Sequence, residues 1–438
     1  MERALTDDLL RWKTSANRKP LLLYGARQVG KTWLLEDFGR REYERCIRVD
    51  FLKETSLRDV FNRDLDAARI VREIGLRKNT RIDPSGTLLI LDEIQEAPRA
   101  LTSLKYFRED MPDLHVAAAG SYMGIARHEG ESFPVGKVDS LTLRPMSFLE
   151  FLRACGQDML AEAIAACDLA LVQAAAADRI VELLRSYLFV GGMPEAVSSF
   201  VHSGDFGKAR DVQLQIASDY DGDFGKHAPA RLLERMRLVW GSLPSQLARE
   251  NKRFVYGAVR KGARAKDLEE SIQWLRDYGV VRKVPRASAL RAPLSGYEDL
   301  SAFKLYCVDV GILGALANLP AYAVVEGSRM FTEFKGALTE QYALQELLAF
   351  GASPYYWSAE NATSEVDFAI DVSGSVVPVE VKAAENLRAR SLKVACGKFG
   401  ISKGVRTSLS GFRDDGWLVN VPLWALSQLP DLLATYVQ

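Results

Sequence analysis

The chain has 438 residues, enough for several domains around a sizeable core, and its 48% hydrophobic and 26% charged residues are ordinary globular composition. Its 57 basic and 57 acidic residues balance, which argues against a uniformly basic nucleic-acid binder, and five cysteines without a Cys-x-x-Cys pair argue against a structural zinc site and a disulfide scaffold. The opening MERALTDDLLRWKTS carries acids where a secretory leader needs an apolar core, and no run approaches a membrane span, so the expectation is a soluble cytoplasmic protein with no membrane partner.

Residues 20–24 (PLLLY) form a short apolar run, GARQVGKT breaks it, and WLLEDFG resumes with helical spacing, the order strand, loop, helix. Two more apolar runs, GTLLILDEI at 86–94 and HVAAAGS at 115–121, alternate with helix-like segments at 56–76 and 98–109. Strands buried on both faces of a parallel sheet read this way, so residues 1–150 predict a doubly wound α/β domain. Residues 151–228 are helical and Ala-rich around Gly191-Gly192-Met193-Pro194 and predict a helical lid. Residues 229–295 carry short amphipathic segments followed by a strand after Gly279, an order compatible with a winged helix. Residues 296–438 hold strand-like KLYCVDVGIL, a long helix over 333–349 and the strands YYWSAE, SEVDFAI and VVPVEVK, a separate α/β domain.

The segment Gly25-Ala26-Arg27-Gln28-Val29-Gly30-Lys31-Thr32 matches G-x-x-x-x-G-K-[ST] between a strand and a helix start. Gly25 and Gly30 let the backbone wrap so that N–H groups face phosphates, Lys31 adds charge, and the helix N-terminus favours the anion. Gly25, Arg27, Gln28, Val29, Gly30, Lys31, Thr32 and the following Trp33 form the expected ATP-binding set. Thr32 is expected on Mg²⁺ together with Asp92, which Leu88-Leu89-Ile90-Leu91 delivers, while Glu93 prepares the attacking water. Two readings stand for Ser121: a hydrogen bond to the γ-phosphate, or a helix N-cap. Arg127 and Arg144 are candidates for a charge that reaches a neighbouring subunit's nucleotide, which would need a homo-oligomer.

A second constellation lies near the C-terminal end. Glu380 and Lys382, two apart on one strand, project together, and a paired hairpin strand can bring Asp367 to the same edge. Asp367 and Glu380, completed by Glu340 from the preceding helix, are expected Mg²⁺ ligands, with Lys382 stabilising a phosphodiester transition state. The competing reading is a solvated strand face with a cross-strand ion pair. Basic residues follow at Arg388, Arg390 and Lys393, and another basic cluster runs from Arg249 to Lys266, so DNA or RNA is the expected partner through backbone contacts.

With these residues assembled, the chain resembles, nearly end to end, the bacterial and archaeal family of AAA-like P-loop ATPases that carry a C-terminal restriction-endonuclease-like domain. The stretches that carry the likeness include LLLYGARQVGKTWLL, LLILDEIQEAP, YLFVGGMPEAV, FKGALTEQYALQEL and YYWSAENATSEVDFAI…VPVEVKA. The resemblance implies an α/β protein with a P-loop ATPase parallel-sheet core, helical lid, winged helix and nuclease-like tail. It maps nucleotide functions onto Gly30, Lys31, Thr32, Asp92 and Glu93, and a metal site onto Glu340, Asp367, Glu380 and Lys382. Nuclease relatives show a Pro-Asp pair where this chain has Val366-Asp367, which keeps the acid. The expected function is an ATP-hydrolysing switch whose tail acts on or binds nucleic acid; the alternative is a signalling or scaffold ATPase with a non-catalytic tail.

Overall fold

The computed structural model describes residues 1–120, 134–322, 332–359, 364–383 and 389–434. The chain divides into two units, Glu2–Arg144 with Trp274–Val280, and Pro145–Gln273 with Val281–Gln438.

In the first unit the apolar runs become the strands of one sheet: β1 (Leu21–Tyr24), β2 (Arg45–Asp50), β3 (Thr87–Asp92), β4 (His115–Ala119) and β5 (Asp139–Thr142). Their order is β2-β3-β4-β1-β5, every pair parallel. Parallel strands need crossovers, and these are helices: α1 (Leu5–Thr14) precedes the sheet, α2 (Lys31–Glu42) follows β1, α3 (Arg58–Arg63) and α4 (Ala67–Arg77) follow β2, and α5 (Pro98–Asp110) follows β3. Every residue of β3 and β4 is buried, as continuous apolar runs require. Leu23 pairs with Ala119 and Asp92 also pairs with Ala119, so the chain leaves β1 and β3 at the same carboxyl edge. Ligands of open parallel sheets sit at that edge.

The second unit begins with helices α6 (Phe148–Ala154), α7 (Asp158–Ala165), α8 (Leu169–Val190), α9 (Pro194–Ser203) and α10 (Phe206–His227). Next come α11 (Ala230–Leu247), α12 (Tyr256–Val259) and α13 (Ala265–Asp277), whose residues from Trp274 onward are counted with the first unit, then β6 (Val281–Ala287), which pairs antiparallel with β7 (Glu298–Cys307). The apolar run KLYCVDVGIL is only half strand. It stops at Cys307, and the Asp309 carboxylate caps α14 (Val310–Leu316) by accepting the Gly311 and Ile312 N–H groups.

Beyond α15 (Thr332–Ala349), the strands β8 (Tyr355–Ser358), β9 (Glu365–Val372) and β10 (Ser375–Val381) precede α16 (Arg390–Phe399), β11 (Gly404–Ser408), β12 (Arg413–Asp414), β13 (Leu418–Pro422) and α17 (Leu429–Leu433). One mixed eight-stranded sheet orders them β12-β13-β11-β10-β9-β8-β6-β7. The β9–β10 hairpin pairs Phe368 with Val379, which sets the register of Asp367 against Glu380 and Val381. Among the described residues no helix is long and apolar enough to cross a membrane.

Candidate nucleotide site and the C-terminal acid cluster

Gly25 opens the loop after β1 at φ 152°, and a Cβ there would lie 2.4 Å from the Leu143 carbonyl oxygen, so a side chain does not pass. Gly30 at φ 93° turns the chain into α2, whose first turn presents free N–H groups to an anion. Lys31 is buried, and its ammonium donates to the carbonyls of Gly25 and Ala26 at 2.9 and 2.8 Å. Burial lowers it to about 8, against the opposing charges of Glu93 and Asp92. Val29 is fully buried and its carbonyl accepts from Arg3 at 2.9 Å. The Arg3 guanidinium also reaches the Arg144 carbonyl at 2.6 Å, tying the loop to the chain after β5.

Thr32 Oγ1 donates to Asp92 Oδ2 at 2.9 Å, and Arg48 Nη2 lies 2.8 Å from that same oxygen. Arg48 also contacts Asp50 at 2.8 Å and Glu36 at 3.1 Å. Burial raises the Asp92 carboxyl, while Arg48 and the Thr32 hydrogen bond oppose it. Burial likewise raises Glu93, opposed by a hydrogen bond from Gln95 and by the charge of Lys31. A hydroxyl and a carboxylate side by side at the sheet edge that carries the loop are ligand types magnesium takes, and Thr32 and Asp92 would hold it once Arg48 gives up the shared Asp92 oxygen.

The structure thus brings Lys31, Thr32, Asp92 and Glu93 together. Arg27 exerts its charge on Lys31 and Glu93, Gln28 adopts a left-handed φ of 65° inside the loop, and Trp33 is 40% exposed. Ser121 and Arg127 lie outside the described residues. Arg144 is half-buried, and burial lowers its guanidinium. Sequence reasoning passed over Arg3, Arg48 and Asp50. The signal for the last two was Arg-x-Asp at the end of a strand, a spacing that puts both side chains on one face.

In the second unit Glu340 is fully enclosed. Its carboxylate accepts from Lys304 at 3.0 Å and also from Lys252 and Tyr306. Burial alone would raise it, but the charges of Lys252 and Lys304 prevail and hold it below the usual carboxylate range. Lys304, itself without exposure, makes a second pair with Glu365 at 2.6 Å. Asp367 accepts the Val381 N–H at 2.8 Å, and burial, with the charge of Glu340 next, pushes it well above the usual carboxylate range.

Glu380 pairs through Oε1 with Lys382 at 2.7 Å, and its buried Oε2 has no hydrogen-bond partner. Among the described residues no three His, Cys, Asp or Glu side chains group as a metal site would require. Glu340 therefore stands as the counter-ion of two lysines, and in this arrangement it does not fit a divalent cation. Arg388 lies outside the described residues; Arg390 and Lys393 are exposed, as are Arg249, Arg253, Arg260, Lys261, Arg264 and Lys266.

Residues 17–152 match the AAA domain family, residues 181–323 a domain of unknown function (DUF8612), and residues 335–424 another (DUF4143). No curated protein matches the chain in sequence. Among solved structures it is similar to the Walker-type ATPase PABY2304 of Pyrococcus abyssi, at 15% identity and TM-score 0.45 over 72% of this chain and 95% of that one. It is also similar to the Aeropyrum pernix ORC1 protein in complex with DNA, at 15% identity and TM-score 0.27 over 73% of this chain and 91% of that one. The family match, the parallel sheet and the glycine-lined loop define an AAA-type P-loop ATPase domain in residues 17–152. The other two matched stretches fall largely or wholly in the second unit.

Proposed function

We propose that this protein is an ATP-hydrolysing, Mg²⁺-using switch whose C-terminal domain, restriction-endonuclease-like in kind, grips or acts on nucleic acid. One observation carries the ATPase reading: Thr32 bonds Asp92 at 2.9 Å at the same sheet edge as Lys31 and Glu93. The triphosphate lies along the loop N–H groups, and Lys31 turns from the Gly25 and Ala26 carbonyls to the phosphate oxygens. Bound magnesium would neutralise charge on the β- and γ-phosphates. Glu93 takes a proton from water as the water oxygen bonds to Pγ; the bond from Pγ to the bridging oxygen breaks, and its electron pair leaves on ADP. Lys31→Ala should lower turnover by at least about 100-fold, measured as phosphate release; unchanged turnover would refute this site.

Six exposed basic residues between Arg249 and Lys266 support contact with a phosphodiester backbone. Reversing Lys261 and Arg264 to Glu should weaken binding of labelled DNA or RNA at low salt and flatten its salt dependence. The second reading is a scaffold or signalling ATPase with a non-catalytic tail, favoured by the two lysines that saturate Glu340. Plasmid and RNA incubated with Mg²⁺ or Mn²⁺ and ATP separate the two. Cleavage that disappears in Lys382→Ala while ATP turnover persists supports an acting tail, and an inert wild type supports the second reading.

A further inference from the structure

After β3 the chain makes one 3-10 turn, Ile94–Glu96, before Pro98 starts α5. Glu93 enters that turn at φ 52°, in the left-handed region. For a side chain other than glycine this conformation is costly, and such costs gather at functional sites. The fully buried Ile94 anchors the turn in the apolar core. The result is that Gln95 folds back over the residue two before it, and its Nε2 donates to Glu93 Oε2 at 2.6 Å. A carboxylate oxygen accepts, so the amide nitrogen must face it, and this directs the Gln95 carbonyl away. That Oε1 is buried and receives no hydrogen bond. An amide oxygen enclosed without a donor is a standing cost unless something else donates to it.

We propose that Gln95 is a positioning residue for ATP hydrolysis, holding the Glu93 carboxylate with its N–H and offering its carbonyl to the second hydrogen of the water that Glu93 deprotonates. The inference rests on the ATPase reading and extends it. An attacking water has two hydrogens and must aim a lone pair at Pγ. Glu93 accepts one hydrogen, and an acceptor at a fixed angle to Glu93 takes the other, which leaves the lone pair no freedom to turn away. A planar amide supplies donor and acceptor in one rigid group. Glutamate at position 95 would keep the shape, lose the donor and set a second negative charge against Glu93; alanine would release Glu93 to other rotamers.

The test compares Gln95→Ala and Gln95→Glu with wild type in the full chain. It measures turnover, the affinity for a fluorescent ATP analogue, and thermal stability. Both variants should lose about 10–100-fold in kcat, with nucleotide affinity unchanged and, for Gln95→Ala, an unchanged melting temperature. In a Glu93→Gln background, Gln95→Ala should add no further loss in single-turnover hydrolysis, because the two residues act as a unit. Wild-type kcat in both variants, a loss that multiplies with that of Glu93→Gln, or a loss matched by weakened nucleotide binding would each overturn the positioning role. If wild type itself hydrolyses no ATP, the underlying ATPase reading fails as well, which distinguishes that outcome from a working enzyme indifferent to Gln95.

Discussion

At the scale of single residues, the guanidinium of Arg48 stands among three carboxylates, those of Glu36, Asp50 and Asp92. The Asp92 side chain is 3% exposed, so burial opposes its charge and Arg48 supplies the opposite charge that favours ionisation. Arg48→Ala should cost about 1–3 kcal/mol of stability in the nucleotide-free protein. Because a dication would supply charge at the same oxygen, saturating Mg²⁺ and ADP should restore most of that loss, as read from denaturation midpoints with and without ligand. Lys31 and Asp92 were legible in the sequence because each belongs to a local pattern with its own strand. Arg48 was not, since its partner is chosen by the register of β2 on β3, where Asp50 pairs with Asp92.

Between elements, the most demanding arrangement is the meeting of α15, β7 and β9 around Lys304. The two carboxylates it serves, Glu340 and Glu365, lie 3.0 and 2.6 Å from one ammonium. Removing one partner of a buried pair leaves the other charged and desolvated, so Lys304→Ala should destabilise the second unit by about 3–5 kcal/mol. Adding Glu340→Gln should recover part of that loss, and urea denaturation of the single and double variants measures it. Lys382→Ala should cost less than Lys304→Ala, about 1–3 kcal/mol, because Lys382 is itself 30% exposed but its removal leaves the buried Glu380 carboxylate without that charge.

The acids of this region could be read from the sequence, in their order of helix, hairpin strand and Glu-x-Lys. Their neutralising lysines could not. Lys304 lay inside a run read for its hydrophobicity, and Lys252 inside a basic cluster read as a contact for a nucleic-acid backbone. The alternation of Lys304 and Tyr306 on β7, which puts both on the face of Glu340, was the signal available.

Over the whole molecule, residues far apart in sequence are knitted within the second unit by buried polar contacts. The Phe148 N–H donates to Glu346 on α15, and the Gly192 N–H donates to Asp309. Burial pushes Glu346 up to about 8. An acid whose folded pKa exceeds its unfolded value binds more protons when folded, so its contribution is present below pH of about 4.5 and lost as pH rises toward about 8. Glu346→Gln keeps an acceptor for Phe148 and removes the ionisation. It should leave stability nearly unchanged in mild acid and raise it by a few kcal/mol near pH of about 8, flattening the pH dependence of the urea midpoint. By itself the sequence determined the phosphate-binding loop, the acid that ends β3 and the parallel sheet between them. These follow from short-range rules: glycine where the backbone must bend, apolar runs where both faces are covered, and N–H groups left free at a helix start. Only the tertiary structure decided which cation faces each buried acid, Arg48 for Asp92 and two lysines for Glu340. The cost of burying a charge is offset by groups from distant segments, and their meeting depends on strand register and packing that spacing along the chain does not encode.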